Sequence, residues 1–148
     1  VKALIQRVTS ASVAVNSEII GEISKGWLLF LGVGRHDNGS EIQKLAEKVI
    51  GLRLFSDQEG KFNHSVQDVG GSILVVSQFT LYADVSRGRR PGFSDAAPPA
   101  LAKEFYERFI DVLKSAGIHV ATGAFGADMQ VSLVNDGPVT VMLDSSDL

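Results

Sequence analysis

The chain of 148 residues has no cysteine. That excludes disulfide frameworks, thiol nucleophiles and cysteine-ligated zinc or iron–sulfur centres. It also lacks any apolar run near the ~20 residues that carry a helix across a bilayer. The opening Val1-Lys2-Ala3-Leu4-Ile5-Gln6-Arg7 is charged within and lacks the long apolar region of a secretory leader. These absences predict a soluble, cytoplasmic protein with no membrane partner. Histidine is scarce: His36, His64 and His119 stand in unrelated contexts, none at metal-ligand spacing from another. No metal and no resident cofactor are expected. There is no phosphate-cradling P-loop and no G-x-S-x-G nucleophile elbow. Strong positive charge is missing too, since the net charge is −3. A protein that coats nucleic acid through a broad basic face is therefore disfavoured. One local exception is Arg87-Gly88-Arg89-Arg90, which reads either as a solvated loop or as a phosphate contact.

What is present describes one domain over residues 1–148, long enough to bury a core unaided. Leu4, Gln6 and Val8, then Val13 and Val15, alternate along a strand, with turn chemistry at Asn16-Ser17 before the strand Glu18 to Ile23. After Lys25-Gly26, the run Trp27-Leu28-Leu29-Phe30-Leu31 suits a strand buried on both faces. A first helix has capping-box spacing at Ser40 and Gln43, with Ile42, Leu45, Ala46, Val49 and Ile50 on one face. Leu52 to Phe55 reads as a short strand, and Ser72 to Val76 as a buried one. Residues 82–97 form a long loop rich in Arg, Gly, Ser and Pro, a length that is usually functional. The second helix opens at Pro98-Pro99 and carries Ala102, Phe105, Tyr106, Phe109, Val112 and Leu113 on one side. Strands at His119 to Thr122, Met129 to Val134 and Val139 to Leu143 finish the chain. The expected fold is α+β: a mainly antiparallel or mixed, barrel-like sheet covered by two helices.

Gly32-Val33-Gly34 between strand and helix invites a dinucleotide-binding reading. Asp37 stands where the third glycine belongs, and no parallel βαβ unit is expected to follow. A turn needing positive φ accounts better for these glycines. Two other stretches break the local pattern. Ser77-Gln78-Phe79-Thr80 puts hydroxyls and an amide at the end of an apolar strand, either as strand-end hydrogen bonding or as a site. No His–Asp pair is evident to activate Ser77 or Thr80, so a triad hydrolase is disfavoured. Asn135-Asp136-Gly137-Pro138-Val139-Thr140 has strong turn composition, and X-Pro is the bond for which a cis form is cheap.

Taken together, Ser77-Gln78-Phe79-Thr80-Leu81 and Asn135 to Thr140 resemble the paired signatures of the D-aminoacyl-tRNA deacylases. The likeness extends through Ile5-Gln6-Arg7-Val8, Leu54-Phe55-Ser56-Asp57 with Gly60-Lys61, Gly70-Gly71, Arg90-Pro91 with Phe93, and Gly123-x-Phe125-Gly126-Ala127-x-Met129. Val1, where an initiator methionine would be expected, is the departure. The resemblance implies hydrolysis of the ester between a D-amino acid, or glycine, and the terminal ribose of tRNA. It implies a homodimer whose active sites lie at the interface. Ser77, Gln78, Phe79 and Thr80 would line the catalytic pocket, and Gly137-Pro138 of the other subunit, with a cis bond, would exclude L side chains. It puts Phe125 and Met129 at the terminal adenine, Arg7 and Gln78 as polar supports, and Arg90 toward the RNA. Two mechanisms stay open: attack by Thr80, or backbone N–H groups near Phe79 and Thr80 as an oxyanion site, with the vicinal ribose hydroxyl assisting water.

Two rivals remain. A related L-alanyl-tRNA deacylase would carry proline first and a smaller residue in place of Phe79. A non-catalytic RNA-binding module on this fold would hydrolyse no ester.

Overall fold

The computed structural model describes residues 1–148. In chain order the elements are β1 (Lys2–Val15), β2 (Glu18–Ile23), β3 (Gly26–Gly32), α1 (Ser40–Gly51), β4 (Phe55–Ser56), β5 (Phe62–His64) and β6 (Ser72–Ser77). A turn of 3-10 helix (Phe79–Tyr82) follows, then α2 (Pro99–Ser115), β7 (His119–Thr122) and β8 (Gln130–Asp144). The main sheet runs β2-β1-β3-β6-β7, with β8 along β1. It curls until β2 meets β7: a Cβ on Gly21 would sit 2.5 Å from the Thr122 carbonyl oxygen. The result is a nearly closed, barrel-like mixed sheet with two helices, as the α+β reading expects.

The continuous apolar run of β3 sorts by the strand period of two. Trp27, Leu29 and Leu31 enter the core shared with Ile42, Val49, Phe105 and Phe109 of the helices. Leu28 faces the other way, into the sheet's concave interior with Val8, Val13, Leu74 and Val76. In β1, Leu4, Gln6 and Val8 share one face as expected, opposite Phe30 and Leu28 of β3, while Ala3 and Ile5 enter the helix-side core. After Val8 the parity changes, so that Ala11 and Val13 join Val8 in the concave interior, because pairing with β8 is irregular between Val8 and Ser10. An extra residue in a strand flips every later side chain to the opposite face.

Three expectations are corrected. β3 pairs with β6 in parallel, and β6 with β7 in parallel, so the segments carrying α1 and α2 are crossovers and a parallel βαβ arrangement does follow Gly32. Long-range pairing of this kind leaves no local sequence mark. The capping box at Ser40 and Gln43 is not formed. Glu41 Oε2 accepts instead from the N–H groups of Asn38 and Gly39 at 3.2 and 3.0 Å, and Gln43 bonds Glu47. A carboxylate suits the positive end of the helix dipole better than an amide. Finally, β8 is one strand, not two. Val8 pairs with Asn135 and Gln6 with Thr140, so residues 136–139 bulge opposite Arg7 alone.

Candidate active site

β6 ends at Ser77, and the chain turns sharply: the Gln78 N–H donates to the Leu31 carbonyl at 2.8 Å. The 3-10 turn then lies directly on the end of β3. It can do so because β3 and its exit carry glycines. A Cβ on Gly32 would be 3.0 Å from the Gln78 carbonyl oxygen and 3.1 Å from Leu81 Cβ, and one on Gly34 would be 2.8 Å from the Tyr82 ring. Neither glycine has positive φ, so close approach, not turn conformation, requires them. Asp37 is no substitute for a phosphate-binding glycine. Its carboxylate accepts from the Gly34 N–H at 2.6 Å and from the Val1 amine at 2.8 Å.

This geometry opens a groove of about 610 Å³ beside the strand end. Ser77, Gln78 and Phe79 form one wall, Phe93, Ala96, Ala97 and Pro99 the second, and Phe125 to Met129 the third. Phe79 is 54% exposed and meets Phe93 edge-on, centroids 4.9 Å apart. Phe125 leans on Tyr106 at 5.8 Å. The Tyr106 hydroxyl donates to the Val75 carbonyl at 3.1 Å, and burial pushes its phenol up to about 12. Met129 fits against the backbone where Gly123 has no side chain: a Cβ there would be 2.6 Å from its sulfur. Phe125 and Met129 thus pack on the core and line the groove at once. An apolar cleft with a few polar groups at one end is the usual form of a small-ligand site.

The structure does not bring all the sequence-marked residues together. Thr80 is exposed beside the groove, and its hydroxyl accepts from the Gln78 side-chain amide. An amide cannot serve as a base. Gly137 and Pro138 are exposed on the β8 bulge, joined by a cis peptide bond. From β8 to β6 is three strand spacings, and from the level of Arg7 to that of Ser77 four residues. Along the sheet that separates Gly137 from Ser77 by about 20 Å. Arg90 lies in the exposed loop after the 3-10 turn, outside the groove.

Arg7 braces the bulge. Its side chain is only 12% exposed, with Nε 3.4 Å from the Asp136 carboxylate. Nε also donates to the Asp136 carbonyl at 3.0 Å, and Nη1 to the Leu54 carbonyl at 2.8 Å. Asn135 spans the bulge: Nδ2 donates to the carbonyls of Arg7 and Val139 at 2.9 and 3.0 Å, while Oδ1 accepts from the Val139 N–H at 3.3 Å. Sequence reasoning took Asn135 for turn composition and gave Phe93 no role. The signal for Phe93 was available: it is an isolated aromatic in a loop otherwise rich in Arg, Gly and Ser.

Residues 4–144 match the family described as D-Tyr-tRNA(Tyr) deacylase. The chain belongs to this family. The D-aminoacyl-tRNA deacylase of Fervidobacterium nodosum is 56% identical over 144 residues, 97% of each chain. That of Roseiflexus castenholzii is 58% identical over 145 residues, covering 98% of this chain and 92% of the relative. Among solved structures, the c-Myc DNA unwinding element binding protein superposes with a TM-score of 0.91 at 41% identity, covering 97% of this chain and 98% of that one. A probable eukaryotic D-amino acid tRNA deacylase shares the fold at a TM-score of 0.84 and 15% identity, covering 96% of this chain and 97% of that one. No helix of this deacylase-family chain is long and apolar enough to cross a membrane.

Proposed function

We propose that this deacylase-family enzyme cleaves the ester joining a D-amino acid, or glycine, to the terminal ribose of tRNA, in the cytoplasm and as a single-domain homodimer. The observation that carries the reading is the separation of its two halves. The groove walled by Ser77, Gln78 and Phe79 lies about 20 Å along the sheet from its own Gly137-Pro138, whereas an exposed, braced bulge can enter the groove of a second copy. The main-chain carbonyls of Gly137 and Pro138 then grip the α-amino group and leave no space for an L side chain. A wall made of backbone tests the configuration at Cα and ignores the identity of the side chain. Glycine passes because it has none.

Phe125 and Met129 receive the terminal adenine, where an aromatic face and a polarizable thioether suit a base. The ester carbonyl sits at the start of the 3-10 turn, whose first N–H groups have no acceptor within the helix. Those of Phe79 and Thr80 stabilise the developing oxyanion. The vicinal ribose hydroxyl assists the attacking water, and Thr80 is scaffold. Its hydroxyl is engaged with Gln78, and a threonine nucleophile needs an adjacent base. Ser77 and Phe79 disfavour the L-alanyl-tRNA rival.

Single-turnover hydrolysis of D-tyrosyl-tRNA and L-tyrosyl-tRNA tests this. The D ester is expected to be cleaved and the L ester spared, with Thr80→Ala retaining most activity. Equal cleavage of both would end the chiral reading. A loss beyond ~10³-fold in folded Thr80→Ala would restore threonine as the nucleophile.

A further inference from the structure

We propose that the loop from Val85 to Pro91 grips phosphates of the RNA strand through Arg87, Arg89 and Arg90, seating its last nucleotides at the groove. This rests on the tRNA-ester reading above and assigns the enzyme's hold on RNA beyond the terminal nucleoside.

The loop is built, not merely long. Asp84 and Gly92 close its stem with reciprocal backbone hydrogen bonds, both 2.8 Å. The Asp84 carboxylate accepts from the Ser86 N–H at 2.9 Å, and hydrogen bonds from the Ser86 hydroxyl and then its N–H hold it below the usual carboxylate range. Gly88, at φ +63 with open space around it, turns the tip. Asp84 thereby stays ionised at the stem, one carboxylate against the three guanidinium groups of the loop.

The three guanidinium groups are exposed and take part in none of the chain's ion pairs, which are Val1–Asp37, Arg7–Asp136 and Lys61–Glu59. Three unpaired arginines in four residues, on a chain of net charge −3, make a local positive site on an otherwise acidic body. The planar fork of arginine matches phosphate oxygens two at a time.

Position decides for RNA over an acidic protein surface. The loop stem runs straight into Phe93, which stands edge-on to Phe79 in the groove wall. Chain length limits Arg90 to about 10 Å from Phe93, and Arg87 to about 20 Å. A strand whose terminal base occupies the groove and which leaves past Phe93 brings its next phosphates within reach of these side chains. Aromatic faces beside a basic track are the usual combination for holding single-stranded nucleic acid.

Binding of the full chain to uncharged tRNA, followed by fluorescence anisotropy between about 50 and 200 mM salt, tests the loop directly. Arg87→Ala/Arg89→Ala is expected to make the plot of log affinity against log salt shallower by about 1.4 to 1.8. Arg87→Lys/Arg89→Lys should keep the wild-type slope, because charge sets it. The alanine variant should also raise KM for D-tyrosyl-tRNA far more than for D-tyrosyl-adenosine, which keeps ester and base but has no phosphate. An unchanged slope, or equal losses on both esters, overturns the proposal. Wild-type protein that cleaves neither ester would overturn the tRNA-ester reading, while the anisotropy slopes would still decide the loop.

Discussion

Tyr106 ties the core to the groove. Its ring supports Phe125, and its hydroxyl shares the carbonyl of Val75, on the strand that ends in Ser77, with the Gly123 N–H. Tyr106→Phe keeps the ring and removes one of the two hydrogen bonds to that carbonyl, so unfolding by urea should show a loss of about 0.5 to 1.5 kcal/mol. It should also change the alkaline limb. The folded phenol is raised to about 12 from an ordinary 10.0. A raised group stabilises fully below its unfolded value, and the benefit is lost as pH climbs toward the folded one. Stability should therefore fall above about pH 10, less steeply in Tyr106→Phe. Some slope should remain, because burial, then the charge of Asp37, also raises Tyr82. A variant as pH-sensitive as the wild type would remove Tyr106 from this account. Individual residues were unevenly legible in the sequence. Ser77, Gln78, Phe79, Phe125 and Met129 do line one groove, but Thr80 and Arg90 stand outside it. Side-chain direction at a strand end depends on the turn that follows, and no periodicity encodes that turn.

The 3-10 turn owes its place to two missing side chains on the neighbouring strand. Gly34→Ala would set a methyl 2.8 Å from the Tyr82 ring, and overpacking of that kind costs about 1 to 3 kcal/mol. The turn carrying Phe79 and Thr80 should shift, and kcat/KM for D-aminoacyl-tRNA should fall with the stability. Gly51→Ala is the control: nothing lies within 4 Å of that Cβ, and denaturation should show it neutral or stabilising by up to about 1 kcal/mol. If Gly34→Ala behaved like Gly51→Ala, close approach would not be what positions the turn. At this scale α2 was readable because its apolar positions recur at helical spacing and all face one core. The β1 and β8 irregularities were not. A bulge is defined by the partner strand, here more than a hundred residues away, and Asn135 to Pro138 reads locally as an ordinary turn.

At the scale of the whole molecule, β8 leaves Leu133, Val134 and Met142 exposed by 36, 56 and 48%, on the strand that also presents Gly137-Pro138. If a second copy covers this strand, a charge there should separate the copies without unfolding either. Val134→Lys is expected to shift sedimentation from dimer to monomer and to abolish deacylation, with an unchanged circular dichroism spectrum. An active monomer would refute the shared site. Such an assembly would be the part of function least visible in one sequence, because a single chain carries both the groove and the bulge and no composition says whether they meet within one molecule or between two.

The brace at Asn135 bears on how long such a pocket lasts. One amide group supplies two donors and an acceptor across the bulge, and asparagine is among the thermolabile residues. Hydrolysis of that amide leaves a carboxylate, which when ionised can only accept. It would then face the carbonyl oxygens of Arg7 and Val139 at the distances where two hydrogen bonds had been. Chemical ageing at this single position would turn the brace into a repulsion and loosen the bulge proposed above as the wall that excludes L side chains.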